Sequence, residues 1–340
     1  MIFGLFVLAP RFPHQSDHES LDRAHRAILA AEQAGLDSAW IAEHHFMPYG
    51  TCPDALTFAA HALGATTRIA VGTAVSVLST AHPVALGERA LLLDALSAGR
   101  LRLGVGRGSP LVDLEVFQSG VPRYEEGFPD GLDLLLRTMT GATVSGDRWF
   151  PFREVPVVPA PTTKPHPPVT VAATSPATVD LAAARGLPML LGMHIGDDDK
   201  RAMVERYRQA CGPQDAPHVS AVVAHIAESR EQAVAEVMSA MPGWLREGLA
   251  AHVPVDGRPR PSRDPEAYAR LLCDLHPVGD PQYCAEVLDR SARRTGIGHV
   301  IAMVEATGDP ERTLKTVERL GAEVLPALRT PAVSDLGKLA

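Results

Sequence analysis

The sequence predicts an α/β protein in which eight parallel strands, each followed by a helix, close into a (β/α)8 or TIM barrel. The chain has 340 residues, of which 46% are hydrophobic, and this is enough for one barrel of this kind. Strand-like and helix-like runs alternate along most of its length, which favours a parallel sheet. Eight such units favour a closed barrel, and an open doubly wound sheet is the alternative.

The predicted strands are short runs of apolar and β-branched residues. The first, at 2–8, is apolar throughout, which is typical of a strand buried on both faces. The remaining seven are predicted at 38–42, 68–78, 101–105, 169–173, 188–191, 219–226 and 298–304.

The predicted helices carry apolar residues at helical spacing. Those at 21–34 and 84–98 are each followed by a glycine, the residue preferred just beyond a helix end. The other six are predicted at 53–65, 131–139, 176–185, 200–210, 231–240 and 310–328.

Two stretches interrupt the alternation. Residues 145–168 are rich in proline and aromatic residues, and we expect them to run over the surface before the fifth strand. Residues 241–281 contain proline, glycine and charge, and we expect a partly helical, mobile insertion between strands seven and eight. Long insertions on a barrel often cover the active site. The sequence thus predicts one domain over 1–330, followed by a short tail at 331–340.

Charge and cysteine content exclude several classes of protein. The formal net charge of −8 leaves no basic surface for nucleic acid or an anionic membrane. The apolar N-terminus has no basic residue before it and ends at Arg11, too early for a membrane span, so we expect a strand there. The four cysteines form no Cys-x-x-Cys pair and are too few for a disulfide scaffold, which favours a reducing cytoplasm.

In such barrels the chemistry lies where strands end, and Glu43-His44-His45-Phe46 directly follows the second strand. Histidine is suited to general acid/base catalysis because its usual pKa is close to neutrality. The alternative is a buried structural pair. A zinc site is disfavoured because neighbouring histidines point apart on an extended chain, and no third ligand has a recognisable spacing.

Two further strand ends are candidates for binding a phosphate. Residues 104–109 are glycine-rich but lack a dinucleotide fingerprint, since Ser109 stands where the third glycine belongs and no helix follows at once. Arg107, flanked by glycines, is free to hold a phosphate. After the fifth strand, Ser175 is suited to cap a helix that has Pro176 first and Thr178 third. Such a helix end attracts anions, and an ordinary cap is the alternative.

The end of the third strand is also a candidate for ligand binding. The small residues at 71–76 would let a flat ligand approach the backbone. A small-residue layer inside the barrel is an equally good interpretation of this segment.

Several runs resemble the bacterial luciferase-like flavin-dependent monooxygenases, in particular the catalytic subunit of luciferase. They are AWIAEHHF, IAVGTAVSVLSTAHPV, LLLDALSAGRLRLGVGRG, ATSPATVDLAAARGLPMLLG and VGDPQYCAEVLDRSARRTGIGHVIAMVE. The resemblance covers most of 1–330 and is weakest at 141–168 and 241–277.

This resemblance implies a barrel that binds reduced FMN and reacts it with oxygen. His44 corresponds to the catalytic histidine, and the Ala74–Val75 bond to a non-proline cis peptide beneath the flavin ring. The implied cofactor-binding residues are Ala74, Val75, Gly106, Arg107, Thr174, Ser175 and Thr178. Residues with a substrate-binding or supporting role are Glu43, His45, His82, Ser109 and Asp113.

The sequence departs from luciferase at one position beside the flavin. The reactive cysteine of that enzyme corresponds to Gly106, and a neighbouring aromatic residue is replaced near Ser109. We expect the glycine to enlarge the space beside the ring. This expectation disfavours light emission and a long-chain aldehyde, and favours a bulkier substrate such as a polycyclic natural product.

The function implied is that of a two-component monooxygenase. The chain shows no convincing nicotinamide site, so a separate flavin reductase is expected to supply reduced FMN. Oxygen would add at C4a of the flavin, and the resulting hydroperoxide must be kept from water. Alternatives are a deazaflavin-dependent hydride transferase with the same fold and a non-catalytic flavin-binding protein.

The helix at 55–63 has unusually small side chains, which permits close approach of another helix. Subunits of the resembled family pair in this region, so a homodimer is expected. A core helix packed only on its own barrel is the alternative.

Overall fold

A computed structural model describes residues 1–211, without the side chain of Cys211, together with 215–259 and 263–329. The predicted tail at 331–340 lies outside these residues. The strands are β1 Ile2–Val7, β2 Ser38–Ile41, β3 Ala70–Thr73, β4 Ser76–Val77, β5 Leu101–Gly106, β6 Val169–Ala173, β7 Met189–Leu191, β8 Val219–Val223, β9 His225–Ile226, β10 Val278–Gly279 and β11 His299–Met303.

The strands form a closed parallel barrel, as predicted. Their order is β3-β2-β1-β11-β8-β7-β6-β5-β4, and β3 also pairs with β5, which closes the sheet. The first and last barrel strands pair in register, with Phe3 opposite Val300. β3 and β4 are two parts of the single strand predicted at 68–78. β9 and β10 form a separate two-stranded sheet, so the barrel has eight strand positions and the open sheet is excluded.

Helices surround the barrel, and all eight predicted ones are present. Their bounds are α1 Asp17–Gln33, α2 Ala55–Ala65, α3 Pro83–Leu96, α4 Asp113–Val116, α5 Gly120–Glu126, α6 Phe128–Met139, α7 Pro176–Ala184, α8 Asp197–Cys211, α9 Arg230–Ala250, α10 Pro265–Leu275, α11 Pro281–Thr295, α12 Pro310–Arg319 and α13 Leu325–Arg329, with a π-helical turn at Leu320–Val324. Throughout the described chain, every helix is too short or too polar to cross a membrane.

Several helices differ from the sequence prediction, and the one predicted at 310–328 is divided into α12, a π-helical turn and α13. The helix predicted at 231–240 continues as α9 to Ala250 in spite of Pro242. A proline inside a helix removes a hydrogen bond, but the completely buried Trp244 and Leu245 beyond it gain burial in the core. α4, α5 and α11 were not predicted. The first two are too short for a periodic pattern, and α11 follows directly on the segment taken to be an insertion.

The core has two main layers. Along β8 the side chain of Val222 belongs to the layer between barrel and helices, whereas Val219, Ala221 and Val223 belong to the cluster inside the barrel. This alternation is that of a strand with both faces buried. The inner cluster also includes Trp244 of α9 and residues of α10. These helices of the predicted insertion therefore pack onto the barrel interior.

The surface excursion predicted at 145–168 packs as a unit of its own. Phe150 and Val157 bury themselves against α3 and α6 in a third, smaller cluster. The buried carboxylate of Asp94 accepts the N–H groups of Thr162 and Thr163 at 2.9 and 2.8 Å. These bonds fix the end of the excursion just before β6.

Candidate active site

The ends of β5 and β6 bring the two predicted phosphate-binding groups side by side. Val105 of β5 pairs with Val171 of β6, so Arg107 lies level with Ala173, two residues before Ser175. The Arg107 guanidinium carbon lies 4.7 Å from the centre of the Tyr124 ring. Among the described residues no carboxylate pairs with Arg107. A half-buried guanidinium without a carboxylate partner is available to an anion.

The N-terminus of α7 supplies the second half of this site. Ser175 caps the helix, and its Oγ accepts the Thr178 N–H at 3.3 Å and lies 2.9 Å from the Thr178 hydroxyl. The first turn contains no acidic residue. The Ala177 N–H and the hydroxyls of Ser175 and Thr178 lie at the positive end of the helix dipole. The donor set of Arg107, Ser175 and Thr178 therefore fits a phosphate monoester, and Thr174 directly precedes Ser175.

His44 follows β2 at the mouth of the barrel and is only partly accessible to solvent. Its ring lies edge-on to Tyr49, with ring centres 5.2 Å apart. Its Nδ1 atom is buried and has no hydrogen-bond partner in the part of the chain that is described. Burial, assisted by His252 and His45, lowers the pKa of His44 to about 4. His44 is thus neutral at pH 7 and able to accept a proton.

An aromatic stack that the sequence analysis missed supports His44. Tyr49 stacks on Trp244 of α9 with ring centres 4.8 Å apart, and the Trp244 indole N–H donates to the Tyr49 carbonyl at 3.1 Å. α9 therefore fixes the ring that contacts His44. The sequence features that could have indicated this stack are a tyrosine shortly after the histidine pair and a tryptophan in the predicted insertion.

Glu43 links three backbone segments around this loop. Its carboxylate accepts the Val77 N–H at 2.9 Å and the Ala55 N–H at 3.1 Å. It thereby connects the loop after β2 to β4 and to the start of α2. His45 Nε2 lies 3.6 Å from the Glu43 carboxylate. Burial raises the pKa of the nearby Asp113, and His45 opposes this shift. Glu43, His45 and Asp113 thus lie in one cluster.

The space beside Gly106 is filled by Val75. The Ala74–Val75 peptide bond is cis and separates β3 from β4. A Cβ atom on Gly106 would lie 2.6 Å from Val75 Cγ2 and 3.4 Å from Ala172 Cβ. The expectation that Gly106 enlarges the space beside the flavin is therefore wrong, because the Val75 side chain occupies the place of a side chain at 106.

We expect Gly106→Ala to destabilise the protein by about 1–3 kcal/mol, because the added methyl group overlaps Val75. The double variant Val75→Ala/Gly106→Ala should lose less stability than the sum of the two single variants. Urea unfolding of the four proteins, analysed as a double-mutant cycle, measures this coupling. Additive losses would show that Val75 and residue 106 do not compete for space.

His82 has a structural place at the start of α3. Its Nδ1 accepts the Val84 N–H at 3.3 Å, and its ring packs edge-on against Phe150 at 5.0 Å. His82 therefore contacts the first turn of α3 and the surface excursion. The structure shows no contact between His82 and His44.

Residues 251–258, here called the strap, connect the end of α9 to the loop after β5. The Val255 N–H donates to the Pro110 carbonyl at 3.1 Å, next to the exposed Ser109. Arg258 of the strap pairs with Glu125 of α5 at 2.7 Å. The ring of His252 lies 6.0 Å from that of Tyr49. The strap thus joins the loop that carries His44 to the loop that carries Arg107.

A comparison with protein families decides the classification. The sequence profile described as luciferase-like monooxygenase matches residues 1–299. The chain belongs to the luciferase-like monooxygenase family. A luciferase-like relative, the alkanal monooxygenase alpha chain of the Kryptophanaron alfredi symbiont, is 28% identical over 97% of this chain and 99% of its own. The protein is accordingly a flavin-linked oxidoreductase.

Solved structures share the barrel of this luciferase-like protein. Monooxygenase RslO1 from Streptomyces bottropensis is 22% identical, with a TM-score of 0.84 over 96% of this chain and 100% of its own. The oxygenating constituent of 3,6-diketocamphane monooxygenase from Pseudomonas putida, solved with FMN, is 18% identical, with a TM-score of 0.76 over 96% and 98%. An F420-dependent secondary alcohol dehydrogenase is 16% identical, with a TM-score of 0.72 over 96% and 99%.

Proposed function

We propose that this protein is the oxygenase of a two-component system that uses reduced FMN and O2 to oxygenate a small organic substrate. The observation that carries the proposal is the pair formed by Arg107 and the capped N-terminus of α7, which together fit a phosphate monoester. Reduced FMN, when bound, supplies the reaction with oxygen. Arg107, Ser175 and Thr178 hold its phosphate, while Val75 and Gly106 lie beside its ring.

The residues around His44 support a role in proton transfer. A neutral imidazole accepts a proton from the substrate or from the flavin and returns it later. Tyr49 holds the ring in place, and Glu43 fixes the loop on which the histidine lies. The strap and the apolar side chains of α9 and α10 exclude water from the reaction.

Binding measurements with FMN and with the deazaflavin F420 distinguish the FMN-dependent oxygenase from a deazaflavin-dependent hydride transferase. Titration of the purified protein, followed by flavin fluorescence and calorimetry, is expected to show binding of reduced FMN and much weaker binding of F420. Rapid mixing of the loaded protein with oxygen should then reoxidise the flavin. Tight binding of F420 with no binding of FMN would overturn the proposal. It would favour hydride transfer instead, the alternative that the F420-dependent structural relative supports.

Further parts of the proposal concern partners. A separate reductase supplies reduced FMN. A second copy of the chain pairs through α2 and α3, where Leu92 and Leu96 of α3 are 48% and 75% exposed. The small number of cysteines agrees with a cytoplasmic location.

The third hypothesis, a non-catalytic flavin-binding protein, is disfavoured by His44. Such a protein would have no use for a neutral imidazole held at the mouth of the barrel.

A further inference from the structure

The loop after β2 folds back onto the ring of His44. The His44 N–H donates to the Cys52 carbonyl at 2.9 Å, which closes the loop. Next to Cys52, the Thr51 N–H and the Thr51 hydroxyl both donate to the Ala9 carbonyl, at 3.0 and 2.9 Å. The backbone at position 50 is therefore held in place between His44 and the chain that follows β1.

Gly50 packs directly against the imidazole of His44. A Cβ atom at position 50 would lie 2.6 Å from His44 Nδ1 and 2.8 Å from the Leu8 carbonyl oxygen. Both distances are shorter than a van der Waals contact, so only glycine lets the loop approach the ring this closely. Nδ1 is also the buried atom that has no hydrogen-bond partner among the described residues. The placement of this side of the ring therefore depends on packing.

α9 lies against the other side of the same loop. Trp244 stacks on the Tyr49 ring at 4.8 Å, and the ring of His252, just beyond the end of the helix, lies 6.0 Å from that of Tyr49. Gly248 is midway between these two in the sequence, and a Cβ atom on it would lie 3.0 Å from the Cα, Cβ and Cδ2 atoms of Tyr49. Residues four apart lie on one face of a helix, so Gly248 leaves a notch in this face, and Tyr49 fills it.

Glycine inside a helix is less favourable than alanine, so each such position calls for a reason. α9 contains two, Gly243 and Gly248, and only the second is buried. A Cβ atom on Gly243 would contact only Pro13, at 3.3 and 3.8 Å. Gly248 is thus the position at which α9 needs the absence of a side chain in order to lie against Tyr49.

Few charges face the His44 ring. His45 acts on it from the same loop and His252 from the strap. Arg11 and Asp17 line a cavity that His44 also lines, and they pair with each other at 2.9 Å. The phenol that contacts the ring is uncharged, because burial raises its pKa. A change in the titration of His44 therefore reports mainly a change in the burial of its ring.

We propose that Gly248 and Gly50 are positioning residues that together set the orientation of the His44 imidazole. Gly248 lets α9 lie on Tyr49, whose ring is edge-on to the imidazole at 5.2 Å, and Gly50 packs against Nδ1. Because α9 continues into the strap, the placement of the imidazole is coupled to the segment that borders the loop of Arg107. This inference rests on the proposed function for the role of His44 and adds the residues that place its ring.

The titration of the His44 ring tests this inference without any reaction. NMR spectra of protein labelled with ¹³C-histidine follow the ring, and the resonance that is missing from His44→Ala identifies it. In the original protein the ring should stay neutral down to pH 5, because burial, His252 and His45 lower its pKa to about 4. Gly50→Ala should displace the ring and admit water, so that its pKa rises by about one unit or more toward the ordinary value.

Gly248→Ala is the milder variant, since it acts on His44 only through Tyr49. It should raise the pKa of the ring by less than Gly50→Ala does, and it keeps the inference testable if Gly50→Ala does not fold. Gly243→Ala is the matched control, because it makes the same change on the same helix away from the loop. Its His44 titration should be that of the original protein.

FMN titration of the same variants keeps the two proposals distinguishable. Neither Gly50 nor Gly248 touches the phosphate site, so both alanine variants should bind FMN within about twofold of the original protein. A loss of FMN affinity as large as that of Arg107→Met would show a disturbance of the whole barrel mouth, and the inference would be wrong. If the two variants shifted the titration but the original protein bound no FMN, the positioning would stand and the proposed function would fail.

Two results of the NMR experiment would overturn the inference. One is an unchanged His44 titration in every folded alanine variant at positions 50 and 248. The other is a shift in Gly243→Ala as large as that in Gly248→Ala, which would show that the notch over Tyr49 has no particular effect on His44.

Discussion

Replacing His44 with alanine is expected to leave FMN binding nearly unchanged and to lower the rate of substrate oxygenation by about 10²–10⁴. The structure gives His44 no part in the phosphate site, so the affinity for FMN should survive. What the variant loses is a neutral proton acceptor at the mouth of the barrel. Calorimetry measures the first quantity and single-turnover product formation the second. Unchanged product formation would remove His44 from the mechanism.

The pH dependence of the same reaction provides a second readout. Since burial lowers the pKa of His44 to about 4, the imidazole stays neutral as the pH falls from 7 to 5. Any acidic limb caused by His44 should therefore lie near pH 4 and vanish in the alanine variant. His18→Ala is the matched control, because His18 is exposed on α1 and should leave both the rate and the limb unchanged.

Arg107→Met is expected to raise the dissociation constant for FMN by about 10–100-fold, the usual effect of losing hydrogen bonds to a charged group. The binding of riboflavin, which has the same ring and no phosphate, should change little. Fluorescence titration of both ligands separates a phosphate contact from a general disturbance of the site. An equal loss of affinity for FMN and for riboflavin would contradict a role of Arg107 in binding the phosphate.

The capping hydroxyls give a graded version of this test. Ser175→Ala removes both an acceptor for the Thr178 N–H and a donor to the phosphate. Because it removes no charge, it should weaken FMN binding by less than Arg107→Met does.

The preference for FMN over riboflavin should also weaken at high salt, because ions screen the charge of the Arg107 guanidinium.

Much of the barrel could be predicted from the sequence, because its strands are short apolar runs and its helices carry caps and amphipathic spacing. The elements that escaped prediction have physical reasons. The cis bond between Ala74 and Val75 divides what looks like one strand at 68–78 into β3 and β4. α9 continues past Pro242, and the residues beyond it are buried in the core. Local sequence does not reveal such tertiary compensation.

Part of the candidate site could also be predicted from the sequence. His44, Arg107 and Ser175 each follow a strand directly, and the carboxyl ends of parallel strands meet on one face. Tyr49 and Trp244, by contrast, contact each other across 195 positions of sequence. The contact of Val75 with Gly106 likewise depends on the exact placement of two neighbouring strands. No pattern within either segment indicates it.

The close fit of Val75 onto Gly106 constrains how this site can diverge. A lineage that gains a side chain at 106 before residue 75 has shrunk must pass through an overcrowded intermediate, whereas the opposite order leaves only a small, tolerable void. The two positions are therefore expected to change in a preferred historical sequence. Attempts to graft a thiol at 106 should succeed only in a background that already carries alanine or glycine at 75.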